Sequence, residues 1–136
     1  MRGHVTPVSR LISLSLDMLH HSSPGLRLVV SYADPGHGHH GAIYQAANWV
    51  YLGTTPTAFV YVDGNGRRYH PREVSATGFK KYFGEIRATP RCDTLRREVT
   101  PGKHRYVYPF DRSMRRRVQA LAKPYPRAEQ VSMGDA

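Results

Sequence analysis

The chain has 136 residues, a length that fits one domain and leaves little room for a second. Twenty Lys and Arg stand against ten Asp and Glu, a formal net charge of +10, while 40% of the residues are hydrophobic. Such an imbalance costs self-repulsion in the compact state; a polyanion is its natural partner, with plain solubility as the alternative. The single cysteine, Cys92, excludes an intramolecular disulfide and a multi-cysteine zinc site, and reads as a lone surface thiol. With no membrane-length apolar run and no signal-peptide core at the start, the chain reads as cytoplasmic.

Thr6 as N-cap and Pro7 at the first helical position start a helix. Val8, Leu11, Ile12, Met18 and Leu19 recur along it at helical spacing, with Ser15 as a gap in the stripe. The run of His20, His21, Ser22, Ser23, Pro24 and Gly25 ends it by turn chemistry. Residues 26–32, LRLVVSY, are short, apolar and β-branched and predict a buried strand. A Gly-rich loop, DPGHGHHG, leads into AIYQAANWVYL, read as a second helix with Gly53 as its stop.

Residues 59–62 predict a strand, and Asp63-Gly64-Asn65-Gly66 predicts a hairpin turn returning through residues 67–70. Residues 71–100 are charged and show no clear period beyond a helix around residues 76–83. Residues 105–110, RYVYPF, predict a strand, and residues 111–122 a short basic helix that Pro124 and Pro126 terminate. The polar residues 127–136 read as a disordered tail, leaving residues 1–126 as one domain. This order of helices and strands indicates an α/β arrangement.

The chemistry concentrates in residues 31–53. Asp34 falls at the carboxyl end of the first predicted strand, where α/β sheets gather ligands. It can orient or deprotonate a reacting group there, or serve an Asp-Pro turn by bonding its own backbone. His37, His39 and His40 can supply a base or a metal ligand, or be solvated loop residues; no metal is assigned. The interleaved glycines let the backbone approach an anion at the following helix start. Tyr44, one turn into that helix, can donate a proton to a leaving group. Gln45 and Asn48 carry amides able to pair with adenine, and Trp49 reads first as core, with stacking on an extruded base as its functional alternative.

Together these residues resemble the Mom family of phage DNA-modification proteins. The resemblance rests on SYADP, two further residues, G-H-x-G, A-I-Y-Q-A, N-W and Y-x-G across residues 31–53. It extends through Y-H-P-R at residues 69–72, K-H-R-Y-V-Y at 103–108, P-Y-P at 124–126, and Ser9-Arg10 in the first helix. The resemblance implies a GNAT-like acyltransferase fold, a mixed sheet flanked by helices. GNAT domains place further strands and helices ahead of such a first helix, so a fold lacking its N-terminal part is expected.

The implied activity installs a methylcarbamoyl (acetamido-type) group on the N6 amine of adenine in DNA, which shields phage DNA from host restriction. By position the resemblance makes Asp34, Tyr44 and His39 active-site residues. Ser9 and Arg10 then lie where phosphates of acetyl-CoA bind, the cofactor it implies. Double-stranded DNA with an adenine flipped out becomes the partner, held by Trp49, Asn48, Arg72, Lys103, Arg105, Arg115 and Arg116. Two other readings compete: a non-catalytic basic DNA-binding remnant of such a protein, and a metal enzyme built on the three loop histidines.

Overall fold

The computed structural model describes residues 7–127. They form two compact units: one from the chain up to Thr55 together with the chain from Lys103 onward, the other Pro56–Gly102. The α/β class expected from the sequence holds, with antiparallel sheets flanked by helices. No helix of the described residues is long and apolar enough to cross a membrane.

The first unit is built on a three-stranded sheet, β1 (Leu28–Ala33), β2 (Val50–Thr54) and β8 (His104–Pro109), with β8 in the middle and antiparallel to both neighbours. Strand alternation divides its side chains between two faces. Val29, Ala33, Trp49, Tyr51, Tyr106 and Tyr108 form one core with Ile12 and Leu16 of α1 (Val8–Ser22) and with Tyr44 of α2 (Ala42–Ala46). Val50 and Val107, with Leu28 and Leu52 beside them, form the other with Met114 and Val118 of α3 (Arg112–Gln119). Asp111 caps α3, its Oδ1 accepting from the Met114 amide at 2.7 Å, and its carboxylate also pairs with Arg27.

Several expectations need correction. The first helix is present, but of its expected apolar stripe only Ile12 packs on the core: Val8, Leu11, Met18 and Leu19 are exposed. The inward face is Ser9, Ile12, Leu16 and His20, the last stacking on Phe110 at 4.4 Å. Those four positions share the side of a 3.6-residue helix that the sheet covers. Thr6, the expected cap, lies outside the described residues, and Pro7 stands at the cap position without a side-chain bond.

The second helix was expected over residues 42–52 and ends at Ala46. Asn48 adopts φ 60°, a left-handed conformation that breaks the helix and that Asn tolerates. Beyond it, alternation of Trp49 and Tyr51 against Val50 and Leu52 makes a strand, because the sheet rewards a period of two over helix propensity. Gly53 therefore stops no helix. It sits in β2 at φ 90°, at a shift in register against β8. The strand over residues 26–32 is present, displaced to Leu28–Ala33, and is only half covered, with Val30 and Tyr32 exposed.

In the second unit the expected hairpin forms. Its strands are β3 (Ala58–Val62) and β4 (Arg68–Tyr69), and Asp63 Oδ1 accepts from the Asn65 and Arg67 amides at 2.8 and 2.9 Å. The helix expected around residues 76–83 is absent. Residues there form β5 (Phe79–Tyr82), paired with β6 (Glu85–Ala88) through a two-residue turn at Phe83 and Gly84. Both turn residues have positive φ, 47° and 91°, the conformation of a tight hairpin and not of a helix. A further strand, β7 (Arg96–Thr100), pairs with β3 where the sequence shows no period. The last expected helix is α3, shortened to Gln119, and the tail beyond Arg127 lies outside the described residues.

Candidate active site

The end of β1, the loop after it and the first turn of α2 enclose a cleft of about 490 Å³. Asp34, Gly38, His39, His40 and Tyr44 all line it, so the structure brings the three residues singled out as catalytic to one place. The geometry of each is different.

Asp34 stands where β1 leaves the sheet and caps a short turn at Pro35–His37, its Oδ1 accepting from the Gly36 amide at 2.9 Å. The turn role and a chemical role are compatible, because the other oxygen is used separately. Oδ2 faces Lys103 Nζ at 3.4 Å and His37 Nδ1 at 3.5 Å. Partial burial by itself raises the carboxyl; the Gly36 amide, Lys103 and His37 outweigh it and hold Asp34 below its ordinary value. Lys103, expected at nucleic acid, is thus also the counter-ion of Asp34.

This pairing predicts a pH signature. A carboxyl lowered on folding adds stability above its unfolded pKa and loses it as pH falls through the folded value. Lys103→Met is therefore expected to destabilise at pH 7, by no more than about 1 kcal/mol because the pair is partly exposed. The gap between variant and wild type should narrow on acidification below the ordinary Asp value of 3.8. Urea denaturation of both proteins at pH 7 and pH 3 measures it, and an equal gap at the two pH values would contradict the pairing.

Tyr44 is half-buried, its ring 5.0 Å from Trp49 and 5.3 Å from Tyr106. The Ser31 hydroxyl, on the same face of β1 as Ala33, donates to the Tyr44 phenol oxygen at 2.6 Å. A phenol that accepts this bond keeps its own proton for another acceptor. Beneath it lies Tyr106, wholly buried, whose hydroxyl donates to the His40 carbonyl at 2.5 Å and accepts from Gln45 Nε2 at 3.0 Å. Burial raises the Tyr106 phenol, so it holds the loop as a neutral donor.

His39 is exposed, and its amide donates to the Asp34 carbonyl at 3.1 Å. His104 bonds Tyr51 through Nδ1 at 2.9 Å; burial first, and His40 second, lower its pKa. Among the described residues no group of three or more His, Cys, Asp or Glu is placed to hold a metal ion, so His37, His39 and His40 do not converge as ligands.

The residues expected at DNA are dispersed. Trp49 is 3% exposed, packed between Tyr44 and Tyr108, and offers no ring face to a base. Asn48 and Arg115 line a separate cleft of about 290 Å³ with Lys123 and Tyr125, whose hydroxyl donates to the Trp49 carbonyl. Arg116 is exposed on α3. Arg105 is half-buried on the α3 side of the sheet, its Nε without a hydrogen-bond partner among the described residues. Arg72 belongs to the second unit, where its carbonyl accepts from Lys80 and Tyr82. On α1, Ser9 is half-buried on the inward face and Arg10 is exposed.

Sequence reasoning missed Ser31, Tyr106 and His104 as parts of this site, and read Gln45 as a base-pairing amide where the structure has it donating to Tyr106. Ser31 was within reach, since counting back two residues from Ala33 puts it on one face of the strand. Tyr106 and His104 lie in the K-H-R-Y-V-Y motif, but nothing local shows that β8 runs beneath residues 40–44.

The chain is 28% identical over 123 residues to the protein named methylcarbamoylase mom of Escherichia phage Mu. The match covers 88% of this chain and 49% of that relative, so the chain spans about half the relative's length. A sequence model described as the Mom protein family matches residues 3–127. With nearly all of its length matched, the chain belongs to the Mom protein family.

Proposed function

We propose that the chain, acting through residues 1–126 as one Mom-type domain, is a phage DNA-modification enzyme of the acyltransferase type. Its product is adenine carrying a methylcarbamoyl group on N6. The observation that carries this reading is the pair of groups facing one cleft: the Tyr44 phenol, which accepts from Ser31, and the Asp34 carboxylate beside Lys103.

The chemistry accounts for both groups. The N6 lone pair is delocalised into the adenine ring, so the amine is a weak nucleophile that must be positioned and deprotonated. The Asp34 carboxylate, placed at the cleft, is offered as the acceptor of that proton, and the contacts that lower its pKa make it a weaker base than an unpaired carboxylate. A phenol with its proton unspent is suited to protonate the leaving group on the other side of the transfer. His39, exposed on the cleft's rim, contacts the substrate or relays the proton outward. The base must leave the duplex to reach any enclosed site, and the +10 charge favours the phosphate backbone that delivers it. Asn48, Arg115 and Arg116 are offered for those backbone contacts.

For the donor, Ser9 and Arg10 present a hydroxyl and an exposed guanidinium on the first turn of α1, a 15-residue helix that packs against α2. The exposed Arg10 guanidinium suits a phosphate, which the positive end of a helix also favours, while the Ser9 hydroxyl lies on the inward face. Acetyl-CoA bound there would supply a two-carbon unit. A methylcarbamoyl group also contains a nitrogen, so acetyl transfer alone does not complete the product. In this reading the enzyme works in the host cytoplasm and shields phage DNA from restriction.

The test is mass spectrometry of nucleosides from the DNA of bacteria expressing the chain. Methylcarbamoyl-adenine in those cells, and its loss in Asp34→Asn, is the expected result. Unmodified adenine from cells containing folded protein overturns the reading.

A further inference from the structure

The β5–β6 hairpin carries a feature that the cleft does not use. Its turn is the two residues Phe83 and Gly84, with φ of 47° and 91°. Turns of this kind take Asn or Asp before Gly, because a branched or bulky side chain at positive φ is strained. Here the position holds phenylalanine, and the ring is fully exposed at the tip. An aromatic ring held in water on a strained backbone gains nothing for this fold, so its contribution lies in contact with something else.

The two faces of the hairpin differ. Lys80 pairs with Arg87 and Tyr82 with Glu85 on one face. That face is tied down, since Lys80 Nζ and the Tyr82 hydroxyl both donate to the Arg72 carbonyl, at 2.6 and 3.2 Å. The Arg87 guanidinium lies 5.9 Å from the Tyr82 ring centre. On the other face Phe79 pairs with Ala88 and Lys81 with Ile86; Phe79 and Ile86 are 59% and 75% exposed. The hairpin is therefore braced on one side and presents, on the other, apolar groups around a lysine, with one ring projecting at the end.

We propose that this hairpin is a DNA wedge, entering a groove of the duplex and inserting the Phe83 ring between base steps. The inference rests on the reading of duplex DNA as substrate. A two-stranded β-ribbon fits the major groove, and apolar side chains inserted between bases unstack and kink the duplex. Lys81, on the open face beside Ile86, supplies charge that phosphates attract, while Lys80 is held by the Arg72 carbonyl and Arg87 by Glu85. Unstacking is also the costly part of extruding a base. A lipid surface is the other partner that exposed rings and lysines suit. It is less favoured, because the duplex is the substrate of the proposed reaction and has bases that must unstack.

The experiment uses the full chain and a duplex oligonucleotide with 2-aminopurine in place of one adenine, whose fluorescence rises when the base unstacks. Wild type is expected to bind and raise the signal. Phe83→Asn suits the positive φ better than Phe does, so the hairpin is retained and only the ring is lost. It should keep duplex affinity within roughly tenfold, because lost stacking is offset by unstacking no longer required, and it should lose the fluorescence rise. Phe83→Trp should restore it. An equal rise with Phe83→Asn overturns the wedge and leaves the DNA reading standing, whereas no duplex binding by wild type overturns both. Phe83-dependent binding to phosphatidylglycerol vesicles, without a Phe83 effect on DNA, would make the hairpin a membrane contact instead.

Discussion

Gly41→Ala is expected to destabilise the first unit by about 3–5 kcal/mol, combining a forced positive φ with overpacking of a buried ring. Gly41 stands at the cap position of α2 with φ 91°, and a Cβ there would fall inside the van der Waals envelope of the Tyr106 ring. Tyr106 has nowhere to retreat. It is wholly buried in β8, the central strand, and its hydroxyl is held by His40 and Gln45. The comparison variant is Gly38→Ala, three residues earlier in the same loop. Gly38 also has positive φ, 73°, but open space around its Cβ position. It should therefore cost only about 1 kcal/mol, the strain alone. Urea denaturation of the two variants separates the terms, and equal losses would show that the close approach to Tyr106 is unimportant.

Tyr44→Phe is expected to lower the rate of adenine modification by about 10²–10⁴-fold, the range for losing a positioned general acid. The ring remains to pack against Trp49 and Tyr106, so the fold should survive. The variant loses the hydrogen bond from Ser31, at a cost of about 1 kcal/mol. Duplex affinity should be unchanged, since the phenol lies within the cleft and away from the basic residues of α3. Ser31→Ala is the control for positioning: it keeps the phenol and frees its orientation, so a smaller loss of rate is expected. A time course of modified nucleoside, read beside urea denaturation and duplex binding, gives all three quantities. Modification at the wild-type rate by Tyr44→Phe would remove Tyr44 from the chemistry. Reduced rate together with reduced DNA affinity would make it a binding residue.

The local signals in the chain were legible where chemistry is local. Thus the Asp63–Gly66 hairpin turn follows from short-range turn preferences, and the strand containing Tyr106 and Val107 from a run of aromatic and β-branched residues. The errors share one cause. Residues 49–52 and 79–82 carry helix formers beside aromatic or β-branched residues, and local propensity leaves such segments undecided. Pairing with β8 in the first case, and a tight Phe83-Gly84 turn in the second, decides for strand. The same holds for α1: its apolar residues outnumber one face, and only the sheet selects Leu16 over Met18.

The candidate site divides in the same way. The amino-acid sequence by itself determined that Asp34, the glycines and histidines, and Tyr44 lie together, because fewer than a dozen residues separate them along one strand–loop–helix segment. It also determined the charge that any partner must answer. Only the tertiary structure decided what surrounds them. Lys103 reaches Asp34, and Tyr106 supports the His40 carbonyl, across some 70 residues of chain, because β8 pairs with β1 and places its start beside the end of that strand. Contacts of that kind depend on strand register, which is set by burying two different faces of one sheet and leaves no mark in any short stretch of sequence.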